Sequence, residues 1–263
     1  MRLALLAAAL VAMPVQAQDT IRVYAAGSLR SAFNELAADF RARTGSDVAL
    51  TFGASGLLKE RIEKGEGADV FASANMEHPQ ALAHAGRAGP ARAFARNRLC
   101  ALARPELDVD SDTLLERMLD PAVKLGTSTP KADPSGDYAF ELFAKADALR
   151  HGARATLERK ALKLTGGLDS PQPPQGRSLY AALLGEHKVD LFLTYCTSAV
   201  EARLEDPRLQ VVQIRAPLAV GALYGLVVMR GAHPAAEELA SFILSPVGQR
   251  ILALRGFDTV APR

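Results

Sequence analysis

The sequence lacks the residue patterns that mark the common metal, nucleotide and hydrolase sites. It has no tryptophan, and its two cysteines do not form a C-x-x-C pair. Its five histidines have no H-x-x-x-H spacing, so a metal site is not indicated. A G-x-x-x-x-G-K-[ST] run is absent, and neither the G-x-S-x-G elbow nor the dinucleotide fingerprint is complete. We therefore predict no metal, no cofactor and no enzymatic activity.

Charge and composition narrow the class of protein further. The net charge is +2, hydrophobic residues make up 49% of the chain and charged residues 23%. Lysines and arginines are dispersed among acidic residues, which argues against a nucleic-acid partner. The composition is that of a globular chain with a hydrophobic core.

The first 17 residues have the features of a secretory signal peptide. Arg2 is followed by an apolar run over residues 3–13 and then by Ala17 at a cleavage pattern. This run is shorter than the roughly 20 residues of a membrane-spanning helix. We expect residues 1–17 to be removed during export and the rest of the chain to be periplasmic.

The remaining chain is long enough for two lobes, since single cores stop growing near about 250 residues. Predicted strands at residues 21–25, 48–52 and 69–74 alternate with helices, which indicates a mostly parallel sheet covered on both faces. A second strand and helix series begins at residue 98, and the C-terminal part is expected to return to the first lobe.

This organisation predicts an α/β fold with two lobes, each a mostly parallel sheet flanked by helices. Lobe I comprises residues 18–98 and 217–263, and lobe II comprises residues 99–216. Two chain crossings, around residues 97–100 and 214–218, would act as a hinge. Cys100 and Cys196 fit either one disulfide or two separately buried thiols.

Three predicted strands end in small residues, with a serine at the first turn of the next helix. These serines are Ser28, Ser55 and Ser135. Helix N-termini carry unpaired N–H groups and partial positive charge, so several that converge form an anion site. Each serine taken alone is equally explained as a helix cap. Capping is also the favoured role of four nearby aspartates, Asp69, Asp133, Asp137 and Asp169.

Nearly the whole chain after residue 17 resembles the periplasmic molybdate-binding proteins of ABC transporters. The resemblance is carried by the runs VYAAGSLRSAFNELAADFRARTG, FGASGLLKERIEKGEGADVFASAN, TSTPKADPSGDYAFELF, LTYCTSA and LRGFDTVAP. It implies a type II periplasmic-binding-protein fold. It also implies that the protein is a monomer that closes on one tetrahedral dianion such as molybdate or tungstate. An inner-membrane permease of an ABC transporter would be its partner.

The resemblance also implies a set of ligand-binding residues. Ser28 and Ser55 would donate from lobe I, and Ser135 and Tyr195 from lobe II. The remaining contact falls at or beside Arg177, where the sequence departs from the family pattern. Its guanidinium either grips the anion or points to solvent. Sulfate, chromate or a small organic anion, and less favourably an exported enzyme that uses the same cleft, are the alternatives.

Overall fold

The computed structural model describes residues 20–171 and 177–260. The predicted signal peptide, residues 1–17, lies outside the described residues. The strands are β1 (Ile21–Ala26), β2 (Val48–Gly53), β3 (Val70–Ser73), β4 (Arg92–Ala103), β5 (Leu125–Ser128), β6 (Leu162–Thr165), β7 (Leu191–Tyr195), β8 (Gln210–Gln213), β9 (Gly221–Val228) and β10 (Asp258–Thr259). The helices are α1 (Arg30–Thr44), α2 (Ser55–Glu63), α3 (Glu77–His84), α4 (Leu114–Leu119), α5 (Pro134–Leu149), α6 (Ala153–Lys160), α7 (Leu179–Gly185), α8 (Cys196–Glu205), α9 (Ala236–Leu244) and α10 (Pro246–Leu254).

The strands form two sheets that share β4, and we call the bodies built on them the first and the second lobe. The first sheet has the order β2-β1-β3-β9-β4, with β10 also paired to β4. The second has the order β4-β7-β5-β6, with β8 paired to β4. Residues 92–98 of β4 pair with β9, whereas residues 99–103 pair with β7 and β8. The α/β architecture predicted from the sequence is confirmed.

Parallel pairing is confined to part of each sheet. β1 is parallel to β2 and β3, and β5 is parallel to β6 and β7. The pairs that involve β4 are antiparallel, as is the pair of β3 with β9. The mixture arises because β4 carries the chain out of the first lobe, and β9 carries it back in the opposite direction.

Local sequence signals account for the ends of the helices that matter for the site. Gly45 adopts a positive φ of 78° and ends α1, a backbone conformation that glycine takes without strain. Before α5, the side chain of Asp133 accepts a hydrogen bond from the Ser135 N–H, and Pro134 occupies the first turn. The predicted capping role of Asp133 is therefore confirmed, and Pro134 suits a position that needs no N–H donor.

A row of aromatic rings runs from the first lobe into the second. Phe94 packs edge-on against Tyr224 at 6.1 Å between ring centroids, Tyr224 against Tyr195 at 5.6 Å, and Tyr195 against Tyr138 at 6.4 Å. Such contacts contribute about 0.5–1.5 kcal/mol each beyond the burial of their area. No helix within residues 20–171 and 177–260 is long and apolar enough to cross a membrane.

A disulfide lies close to this row of rings. Cys100, in β4 just after the change of sheet, is bonded to Cys196 at the start of α8, with the two Cα atoms 4.8 Å apart. Of the two arrangements that the sequence allows, the structure has the bonded one. The bond ties the residue after Tyr195 to the strand that both lobes share.

Candidate ligand-binding site

Four of the five predicted ligand residues stand where parallel strands end. Ala26 of β1 pairs with Gly53 of β2, so the segments that carry Ser28 and Ser55 leave the first sheet at one edge. In the second lobe β5 is parallel to β7, and these strands lead to Ser135 and Tyr195. The carboxyl ends of parallel strands are the usual location of ligands in α/β folds.

Ser28 lies in the one-turn 3-10 helix Gly27–Leu29 that follows β1. Its Oγ is 2.9 Å from the Tyr224 Oη. Tyr224 belongs to β9 of the same lobe, and its ring packs against that of Tyr195 in the second lobe. Tyr224 therefore brings two predicted ligand residues from different lobes close together.

Ser55 opens α2 and is 1% exposed. Its Oγ accepts a hydrogen bond from the Ala74 N–H at 3.1 Å, so the hydroxyl hydrogen remains to be donated elsewhere. The next residue, Gly56, donates its N–H to the carbonyl of Ala132 at 2.9 Å. Ala132 lies in the loop before α5, which carries Ser135. This contact joins the segments that carry the other two predicted ligand residues across the lobes.

The two predicted ligand hydroxyls of the second lobe are buried and lack a well-formed hydrogen bond to the described residues. Ser135 is 1% exposed and Tyr195 is 3% exposed. The Tyr195 hydroxyl lies near that of Tyr224, but the two groups are not aligned for a hydrogen bond. A buried hydroxyl without a partner costs about 1–3 kcal/mol. An acceptor supplied from outside the chain would remove this cost.

Burial keeps the tyrosine hydroxyls of the site protonated. It raises the pKa of Tyr195 and of Tyr224 well above the ordinary value of a phenol, because the charged form loses its hydration. Both groups are therefore hydrogen-bond donors at neutral pH.

A carboxyl group lies beside these donors. Burial raises the pKa of Asp133 to about 6, while the hydrogen bond from the Ser135 N–H and the interaction with Ser128 oppose that rise. Asp133 thus titrates near neutrality two residues from a predicted ligand residue. Asp137, one turn further along α5, repels the charged form of Asp133 and adds to the rise.

Arg177 is not brought together with the other predicted ligand residues. Its side chain is 61% exposed and its Nη2 is 2.8 Å from the Glu205 Oε1. Glu205 also accepts the Ser178 N–H at 2.6 Å, and Ser178 caps α7. The acidic end of α8 therefore holds the guanidinium at the surface. Residues 172–176, which precede Arg177, lie outside the described residues.

Sequence reasoning missed two buried polar residues beside Ser28: Tyr224, whose hydroxyl contacts that of Ser28, and Asn97, whose Nδ2 lies 3.4 Å from the Tyr224 Oη. Tyr224 is fully buried in a strand that reads as plain β-prone sequence. A buried tyrosine hydroxyl usually has a polar partner. A tyrosine in an otherwise apolar strand was therefore the only sequence signal for Tyr224. Asn97 is 3% exposed and lies where β4 leaves the first sheet, which nothing in its sequence neighbourhood indicates.

The assembled groups can hold an anion through neutral donors. The four side chains are those of three serines and one tyrosine. Within the described residues, no group of three or more His, Cys, Asp or Glu side chains is arranged to hold a metal ion. Preoriented neutral donors can replace the water shell of an anion without burying a counter-charge. Such a site, between two lobes, is that of a receptor for a small solute.

Comparison with known proteins assigns the chain to a family of such receptors. The profile of the family described as bacterial extracellular solute-binding protein matches residues 21–258, and the chain belongs to this family. A relative from Pasteurella multocida, uncharacterized protein PM1146, is 37% identical over 68% of this chain and 74% of its own length. The molybdate-binding protein ModA of Mycobacterium bovis is 27% identical over 93% of this chain and 86% of its own length.

Solved structures share the fold at lower sequence identity. The periplasmic molybdate-binding protein of Azotobacter vinelandii is 19% identical, with a TM-score of 0.72 over 92% of this chain and all of that one. The sulfate-binding protein SubI of Mycobacterium tuberculosis is 18% identical, with a TM-score of 0.75 over 92% of this chain and 88% of that one. At this level of identity the likeness establishes the fold, which is that of two-lobed periplasmic binding proteins.

Proposed function

We propose that the protein is exported to the periplasm, binds one tetrahedral oxyanion between its lobes and passes it to the permease of an ABC transporter. The observation that carries this proposal is that the serine-bearing turns of the first lobe contact the second lobe, through Tyr224 and Tyr195 and through Gly56 and Ala132. Two of the predicted ligand hydroxyls, on Ser135 and Tyr195, lack a well-formed bond to the described residues. An oxyanion supplies several acceptors to one point, which is what these donors need.

Molybdate or tungstate is the ligand we favour. The support comes from the sequence runs that resemble molybdate-binding proteins and from the relatives named for molybdate binding. Sulfate is the main competitor, because the sulfate-binding SubI has a comparable TM-score. These anions share charge and tetrahedral shape, so a small difference in pocket radius decides between them.

The lobes are proposed to close on the anion about two crossings. The first lies in β4 between Arg98 and Leu99, where the strand changes sheets. The second is the segment between β8 and β9. In the closed form the anion would contact Ser28 and Ser55 on one side and Ser135 and Tyr195 on the other. Binding would shift the population toward closure, since only that form presents all four donors.

Arg177 is proposed to lie outside this set. Its pairing with Glu205 at an exposed position gives it a partner already, and a dianion held by neutral donors does not require a guanidinium. We therefore assign the anion to the hydroxyls of the two lobes.

Titration calorimetry on ligand-stripped protein tests the proposal. Molybdate, tungstate, sulfate, chromate and phosphate would be titrated into the same preparation, with thermal unfolding recorded in parallel. We expect one anion of the panel to bind at one site per chain and to raise the melting temperature. Absence of heat and of any thermal shift with all five would overturn the proposal, and a preference for sulfate would overturn the molybdate assignment alone.

A further inference from the structure

A chain of hydrogen bonds connects Ser28 to the second lobe. The Asn97 Nδ2 lies 2.9 Å from the Thr197 Oγ1 and 3.4 Å from the Tyr224 Oη. The Tyr224 Oη in turn lies 2.9 Å from the Ser28 Oγ. Asn97 and Tyr224 belong to the first sheet. Thr197 lies in the first turn of α8, the helix that begins after Tyr195. Asn97, Tyr224 and Thr197 are all buried.

The donors and acceptors of this chain can be ordered. The Asn97 Oδ1 accepts the Arg98 N–H at 2.8 Å, so the group that faces Thr197 and Tyr224 is the amide nitrogen, which only donates. The Tyr224 oxygen therefore accepts from Asn97. The Tyr224 hydrogen goes to Ser28, since the nearby Tyr195 hydroxyl is not aligned to accept it. Ser28 then accepts from Tyr224, and its own hydrogen is left for a ligand.

From this order we infer that Tyr224 and Asn97 are positioning residues for the anion site. They fix Ser28 as a hydrogen-bond donor toward the bound anion, and through Thr197 they connect that orientation to the second lobe. The inference rests on the proposed function, because it concerns how the same site selects its ligand. Neither residue is required to touch the anion.

The fixed orientation has a consequence for selectivity. A donor-only Ser28 suits an oxyanion whose oxygens all accept, such as molybdate or sulfate. A hydrogen phosphate ion carries an O–H that would point at another hydrogen. The fixed direction of the Ser28 hydroxyl therefore disfavours protonated anions. None of the four ligand side chains carries a charge that would offset this effect.

A double-mutant cycle on Ser28 and Tyr224 tests the inference. The probe is molybdate, or sulfate if the wild-type protein prefers it. Tyr224→Phe keeps the ring contacts with Phe94 and Tyr195 and removes only the hydroxyl. We expect it to weaken binding about threefold to tenfold, the usual effect of one hydrogen bond between neutral groups, because the Ser28 hydrogen is then no longer held toward the anion. In a Ser28→Ala background it should weaken binding less than about twofold, because its action passes through Ser28.

Two further measurements separate positioning from general stability. At pH 8, Tyr224→Phe should lower the ratio of the Kd for phosphate to the Kd for the preferred anion. A merely structural role of Tyr224 would leave this ratio unchanged. Asn97→Ala serves as a second variant if Tyr224→Phe does not fold, and it should show the same decrease. Tyr138→Phe, which removes a hydroxyl from the same row of rings, is the control and should leave both constants unchanged.

The outcomes distinguish this inference from the function on which it rests. If the wild type binds the anion and Tyr224→Phe binds it equally well, the inference is overturned and the proposed function stands. Additive effects of Ser28→Ala and Tyr224→Phe on the Kd would have the same consequence. A wild-type protein that binds none of the five anions would overturn both. A nonadditive cycle together with a lowered phosphate ratio would support the inference.

Discussion

Gly56 of the first lobe donates its backbone N–H to the carbonyl of Ala132 in the second lobe, at 2.9 Å. The two residues belong to the turns that carry Ser55 and Ser135. A Cβ atom on Gly56 would lie 2.4 Å from the Lys131 carbonyl oxygen and 2.7 Å from that of Ala132. Both neighbours are backbone atoms, so neither can rotate away. Close contact of the lobes at the site therefore depends on glycine at position 56.

Gly56→Ala should keep the lobes from closing without unfolding either of them. We expect the affinity for the anion to fall about tenfold or more, equivalent to at least about 1.4 kcal/mol, while the melting temperature without ligand changes little. Calorimetry and small-angle scattering with and without the anion would measure the two effects. Gly185→Ala is a matched control, because a Cβ there meets nothing within 4 Å. Equal affinities of the Gly56→Ala variant and the wild type would contradict the assigned contact.

Tyr195→Phe should separate binding from stability. Its hydroxyl is buried without a well-formed bond, so its removal is expected to raise the unfolding free energy by about 1 kcal/mol. Anion affinity should fall about tenfold to a hundredfold, the range for a hydrogen bond to a charged group. Chemical denaturation and calorimetry would measure the two quantities. A variant that loses stability and keeps its affinity would place this hydroxyl outside the site.

Tyr24→Phe provides the opposite control for that experiment. The Tyr24 hydroxyl donates to the Glu66 Oε1 at 2.5 Å, on the far side of β1 from the row of rings around Tyr224. Removing a satisfied hydroxyl is expected to lower stability by about 1 kcal/mol and to leave anion affinity unchanged. The two variants make the same chemical change, one at a hydroxyl without a partner in the site and one at a bonded hydroxyl away from it.

The sequence predicts this fold because its strand and helix signals are local. Small residues before Ser28 and Ser55, Gly45 at the end of α1 and Pro134 at the start of α5 each specify a turn within a few residues. The strand predicted to begin at residue 98 begins in the structure at Arg92, as β4. Arg92 and Arg96 break the apolar run, and only pairing with β9 makes that stretch a strand.

The site could be predicted only where it follows a strand end. Ser28, Ser55, Ser135 and Tyr195 all follow or end strands, so local pattern and family resemblance indicate them. Tyr224 and Asn97 acquire their partners from segments more than 90 positions away in the chain, as the separations of 196 and 100 for their bonds to Ser28 and Thr197 illustrate. Long-range side-chain pairing of this kind leaves no periodic signal.

Arg177→Ala should leave the anion site unaffected. The guanidinium pairs with Glu205 at an exposed position, and such surface pairs contribute about 0–1 kcal/mol. We expect the Kd for the anion to stay within about twofold of the wild-type value, a change of less than about 0.5 kcal/mol. Calorimetry at low and at moderate salt would measure it. A loss of more than tenfold would mean that the guanidinium reaches the anion in the closed form.

The carboxyl group of Asp133 should make stability and binding depend on pH. Its pKa is raised to about 6, compared with about 3.9 in an unfolded chain. The native state therefore holds the proton more tightly between these values, and the unfolding free energy should fall as pH rises from about 4 to 6, by up to about 3 kcal/mol. Denaturation at a series of pH values would measure this loss.

A bound dianion would raise the pKa of Asp133 further, because it repels the carboxylate. Binding should then take up a proton, and anion affinity should weaken as pH rises from about 5 to 8. Calorimetry in buffers of different ionisation enthalpy would count the proton. Asp133→Asn is the matched variant, since asparagine also caps a helix and does not titrate. It should bind without proton uptake, whereas an unchanged pH profile would assign the titration to another group.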